Sequence, residues 1–114
     1  MVTESICSLP PKDEFLHKVQ ALCRKHGALF IVDEMISGFR WHNKGAAHYY
    51  GLDPDLSTFG KGIANGFSVS ALVGKREVMD LGGLFHDQKR VFLISTTHGA
   101  ENHSLAAARA ALAV

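Results

Sequence analysis

Three stretches of this sequence carry side chains able to do chemistry: Asp33-Glu34, Gly60-Lys61-Gly62 and Ser95-Thr96-Thr97-His98-Gly99. The acidic pair follows directly on an apolar run, Ala28-Leu29-Phe30-Ile31-Val32. A carboxylate leaving such a water-poor strand end must be paired, either with a protonated ring nitrogen or with a metal. A turn or helix cap is the plain structural alternative. A metal is disfavoured, because no second carboxylate or histidine follows at ligand spacing. Lys61 stands between two glycines, which let other groups approach its backbone closely, and it has no acid beside it in the sequence. It reads either as an exposed loop lysine or as a partly desolvated amine capable of a Schiff base. A nucleotide reading of Gly60 to Gly66 fails, since Asn65 stands where the dinucleotide fingerprint has glycine and the phosphate-loop spacing is absent. The Ser95 to Gly99 turn can bind phosphate through hydroxyl and backbone donors, or simply cap the helix after it.

Other reactive residue types point nowhere definite. Among the seven histidines there is no HxH or HxxxH pair, and His98 and His103 lie five apart, off a common helical face. Cys7 and Cys23 form no CxxC and read as reduced thiols. Twelve Lys+Arg against 11 Asp+Glu give a net charge of +1, which argues against nucleic-acid and anionic-membrane partners. No apolar stretch approaches the ~20 residues of a membrane-spanning helix. The first residues carry an acid and no basic cluster, so the sequence predicts a cytoplasmic protein.

The elements that must position these groups alternate in type. Phe15, Val19, Leu22 and Cys23 recur at helical spacing, with Asp13 and Glu14 in the first turn, and predict a helix over 12–26. The unbroken run 28–32 reads as a strand covered on both faces. Short helices are predicted over 46–50 and 75–81, strands over 56–59, 69–73 and 91–94, and an alanine-rich helix over 101–114. Strands and helices in alternation predict an α/β fold with a mostly parallel sheet flanked by helices. In such sheets ligands sit beyond the carboxyl ends of the strands, where Asp33, Lys61 and Ser95-Thr96-Thr97 would all fall. No linker or repeat divides residues 1–114, so a single piece without internal boundary is predicted.

Three elements occur in order: Ile31-Val32-Asp33-Glu34 with Ser37-Gly38-Phe39-Arg40, then Pro54-Asp55-Leu56-Ser57-Thr58-Phe59-Gly60-Lys61, then Thr96-Thr97-His98-Gly99. This order resembles the class III pyridoxal-phosphate (PLP)-dependent aminotransferases of fold type I. Within them, Asp33-Glu34-Met35-Ile36-Ser37-Gly38-Phe39-Arg40 is most similar to the glutamate-1-semialdehyde aminomutase-like branch. The resemblance implies the central part of the PLP-binding large domain, and a fragment, since family members are several times longer. It implies PLP as cofactor, Lys61 as the Schiff-base lysine, Asp33 as the acid on the pyridinium nitrogen and Met35 against the ring face. Thr96 would reach the cofactor phosphate of a neighbouring subunit, hence a homodimer, and the substrate would be a small-molecule amino donor or acceptor. A truncated remnant that keeps the motifs without binding the cofactor tightly is the alternative. Two positions depart from the family pattern: Ile36 stands where many members carry glutamine, and Ala100-Glu101 where Asn-Pro often follows.

Overall fold

The computed structural model describes residues 10–83, 87–89, 97–99 and 101–114. Its elements are helix α1 (Phe15–Lys25), strand β1 (Ile31–Glu34), helix α2 (Ala46–Tyr49), strand β2 (Leu56–Phe59), strand β3 (Ala71–Gly74), helix α3 (Arg76–Met79) and helix α4 (Asn102–Leu112). A single 3₁₀ turn, Lys61–Ile63, follows β2, and a second, Asp80–Gly82, follows α3. The three strands form one sheet in the order β1-β2-β3.

β1 and β2 are parallel, with Ile31 opposite Leu56 and Glu34 opposite Phe59. β3 returns antiparallel to β2, so the three described strands form a mixed sheet. The connection explains the reversal. Only 60–70 separate β2 from β3, and the one regular element there is a three-residue 3₁₀ turn, whereas a parallel return needs a crossover of a dozen or more residues. The predicted strand 91–94 lies outside the described residues.

Element boundaries move for identifiable reasons. β1 begins at Ile31 rather than Ala28, because Asp55 takes the Phe30 backbone on both sides: Phe30 N–H donates to Asp55 Oδ2 at 2.8 Å, and Asp55 N–H donates to the Phe30 carbonyl at 2.8 Å. Asp33 and Glu34 are therefore the last two residues of the strand, not the residues after it. α1 begins at Phe15, with Asp13 and Glu14 before it at φ 52° and 54° and not in its first turn. It ends at His26, where Gly27 at φ 64° turns the chain and Ala28 N–H reaches back to the Cys23 carbonyl at 2.9 Å.

The best-buried apolar cluster lies under the 3₁₀ turn after β2. Ile63, Ala64 and Ala108 are enclosed there, with Phe39, Phe59, Val69 and Ala71 packed around them. α4 thus docks on the segment that carries Lys61. Elsewhere large apolar side chains stay open to solvent, among them Phe15 and Leu22 on α1 and Leu72 and Val73 on β3. The docking of α1 is instead polar: Asp53 N–H donates to Gln20 Oε1 at 2.6 Å, and Arg24 pairs with Asp53 at 2.7 Å.

Candidate functional site

Strand alternation assigns the two acids of β1 to opposite faces of the sheet. On one face Asp33 lies opposite Thr58 in the parallel register, and the Thr58 hydroxyl donates to Asp33 Oδ1 at 3.1 Å. The backbone N–H of Met35 donates to the same oxygen at 3.0 Å. Two donors thus orient the carboxylate, while its second oxygen accepts nothing among the described residues.

On the other face Glu34 is 1% exposed and fully committed. It accepts from the Ser37 hydroxyl and from the backbone N–H groups of Ala46 at 2.8 Å and Ala47 at 2.7 Å. Its charge holds the β1–α2 loop to the start of α2. Of the acidic pair, then, Asp33 alone is left to face a ligand, and Glu34 shapes the loop that follows.

Lys61 opens the 3₁₀ turn two residues beyond β2, so the parallel pairing brings it to the same carboxyl edge as Asp33. It is exposed and makes no ion pair among the described residues. Its φ of 46° is left-handed, a conformation that costs a non-glycine residue of order 1 kcal/mol or more and that clusters at ligand sites. The flanking glycines are not equivalent. A Cβ at Gly60 would come within 2.7 Å of the Met35 sulfur, and one at Gly62 within 3.4 Å of the Gly38 carbonyl oxygen and 3.9 Å of Phe39 Cβ. Gly60 thus leaves room for the Met35 side chain, while a side chain at 62 would only touch the loop that leaves β1 at ordinary contact distance. Phe39, at φ 63° on that loop, has its ring 5.4 Å from the Phe59 ring.

Of the residues predicted to form the site, Asp33, Met35 and Lys61 are brought to one edge of the sheet. Thr96 lies outside the described residues, and its neighbours Thr97, His98 and Gly99 form an exposed turn ahead of α4. Sequence reasoning missed Thr58, whose hydroxyl reaches Asp33 only because of the strand register. It also missed the division of labour between Asp33 and Glu34, which the period-two alternation of a strand would have signalled.

The donor set suits a cationic heteroaromatic ring carrying an aldehyde: a half-open carboxylate for a ring N–H, a thioether for the ring face and an amine for the carbonyl carbon. Residues 6–114 match the family model described as aminotransferase class-III. A glutamate-1-semialdehyde 2,1-aminomutase from Anaeromyxobacter sp. (strain K) is 58% identical over 72 residues, which is 63% of this chain and 17% of that protein. An omega-transaminase from Sphaerobacter thermophilus superposes with a TM-score of 0.81 at 30% identity, over 92% of this chain and 24% of its own. A transaminase solved with PLP bound gives the same TM-score, identity and coverage. The chain therefore spans about a quarter or less of the length of the proteins it matches.

Proposed function

This chain belongs to the class III aminotransferase family, and from that premise we propose that it is part of the PLP-binding domain of an enzyme that moves an amino group, with Lys61 as the lysine that holds the cofactor covalently. The observation that carries the reading is the parallel β1–β2 pairing. Among the described residues it delivers a half-satisfied carboxylate and an amine without an ion pair to one edge of the sheet, the amine on a strained turn.

When bound, PLP supplies an electron sink that stabilises negative charge at the substrate carbon. The protein's contributions follow from its side chains. Asp33 would hold the ring nitrogen protonated, since a carboxylate beside that nitrogen favours the charged form, and Thr58 and the Met35 N–H fix the carboxylate for it. Met35 would lie against the ring face. The Lys61 amine, when neutral, would take a proton from the substrate carbon and return it elsewhere as general base and acid. By its place in the family motif, Thr96 would be the residue that serves the cofactor phosphate of a second subunit, and the working enzyme would then be a homodimer.

Within this reading the aminomutase-like branch is favoured by the 58% identity to that relative over 72 residues. Amino transfer then occurs within one small substrate, and product should form with no second substrate present. A strict requirement for a separate amino acceptor places the enzyme among the transaminases instead. The full-length protein should take up PLP with a visible absorption band that survives dialysis. Borohydride reduction and peptide mapping should then mark Lys61. A label on Lys44 or Lys75 overturns the assignment.

A further inference from the structure

Gly60 is a glycine without a conformational reason to be one. Its φ of −162° is extended backbone that any residue adopts. What excludes a side chain is Met35: a Cβ at residue 60 would fall within 2.7 Å of the Met35 sulfur, and the methyl group lies closer still. The next atom in that direction, the Val69 carbonyl oxygen, is 3.9 Å away, an ordinary contact. The parallel register continues the explanation. Glu34 is opposite Phe59, so one step further along the two chains Met35 comes level with Gly60. The long, unbranched thioether crosses from the end of β1 to the end of β2 and rests on the bare backbone immediately before Lys61.

We propose that Met35 and Gly60 form a steric pair that sets the floor of the cofactor site: the missing side chain at 60 fixes where the Met35 thioether lies between Asp33 and the Lys61 turn. This rests on the function proposed above and adds to it a positioning residue, Gly60, that does not itself touch the cofactor through a side chain. Two features make the pair separable from general folding. The atoms in conflict are the far end of a flexible side chain, so an alanine at 60 displaces the thioether by rotation and leaves the strands in place. The displaced sulfur then occupies the space of the ring or abandons its face, and either loosens the cofactor. Shortening residue 35 removes the conflict altogether.

The test is a double-mutant cycle in the full-length enzyme, read by PLP titration of the apoprotein, with thermal unfolding of the apoprotein alongside. Gly60→Ala should weaken PLP binding at least tenfold with little change in apo unfolding temperature. Met35→Val should weaken it only a few-fold. Adding Met35→Val to Gly60→Ala should restore affinity to within about twofold of Met35→Val alone. Unchanged affinity in Gly60→Ala, or a double variant no better than Gly60→Ala, overturns the pairing while leaving Lys61 as cofactor lysine intact. A drop in apo stability in Gly60→Ala that matches the lost affinity also overturns it, because the glycine then serves the fold. Failure of the unsubstituted enzyme to bind PLP at all overturns the proposed function itself, and the pair with it.

Discussion

At the amino end of the sheet Arg24, Asp53, Asp55 and Lys75 pair with one another, whereas at the carboxyl end Asp33 and Lys61 are left incompletely matched among the described residues. Asp55 caps the amino end, accepting from the Phe30 N–H at 2.8 Å and from Lys75 Nζ at 2.9 Å. Asp53 beside it pairs with Arg24 at 2.7 Å and with Lys75 at 3.2 Å. The Lys75 hydrogen bond and that from Phe30 hold the Asp55 carboxyl below the usual carboxylate range. Reciprocally, the hydrogen bonds to Asp55 and then Asp53 raise Lys75. At the carboxyl end Asp33 has one oxygen committed, and Lys61 sits in a left-handed conformation with no ion pair among the described residues. One strand pair thus ends in a clasp on one side and, among the described residues, in a half-committed carboxylate and an exposed amine on the other. At the carboxyl end one acid, Glu34, is spent on the fold and its neighbour Asp33 is not, whereas at the amino end both acids are paired.

The largest effect should come from the reactive end. Asp33→Asn in the full-length enzyme should still allow cofactor uptake but raise the barrier to proton removal by about 4 kcal/mol, roughly three decades in turnover. Steady-state rates alongside cofactor absorbance check this, and near-normal turnover would reduce Asp33 to a turn residue. Glu34→Ala comes next. It strips three hydrogen bonds from a buried site and should cost about 2–4 kcal/mol of stability by denaturant unfolding. A loss under 1 kcal/mol would show that the loop stands without it.

The clasp should matter for stability alone. Asp55→Asn, losing the charge that faces Lys75, should cost about 1–2 kcal/mol without changing PLP affinity. A fall in affinity of similar size would mean that the two ends are coupled. The same carboxylate predicts an acid dependence. Because its folded pKa lies below the unfolded one, its stabilisation is complete above about pH 4 and is lost as pH falls below that. Lys75 is shifted the opposite way, so its contribution is complete below about pH 10 and is lost above it. Unfolding of Asp55→Asn across this range should show a flatter acid limb than the unsubstituted enzyme. The smallest effect is expected from Arg24→Ala, whose exposed pair with Asp53 should contribute under about 1 kcal/mol.

The order of the described elements, the α/β class and the placing of Asp33 and Lys61 at neighbouring strand ends were legible because local signals carry them: an apolar run, helical periodicity, and a lysine between glycines. Strand starts were not legible at the same resolution. The run 28–32 is apolar throughout, and only the reach of Asp55 across 25 positions decides that pairing begins at Ile31. The direction of β3 likewise depends on a connection too short to cross the sheet, and that is plain only once the 60–70 segment is seen to contain no crossover helix.

By itself, then, the sequence determined that an acid pair and a glycine-flanked lysine stand at the ends of apolar strand runs, since residue type and neighbouring glycines are local properties. Tertiary structure alone decided which of two adjacent carboxylates is left half-free. Asp33 and Glu34 are chemically alike, and they part only because a strand sends successive side chains to opposite faces. One face presents a threonine hydroxyl and an open edge, while the other presents Ser37 and the backbone donors of α2, which consume the charge completely.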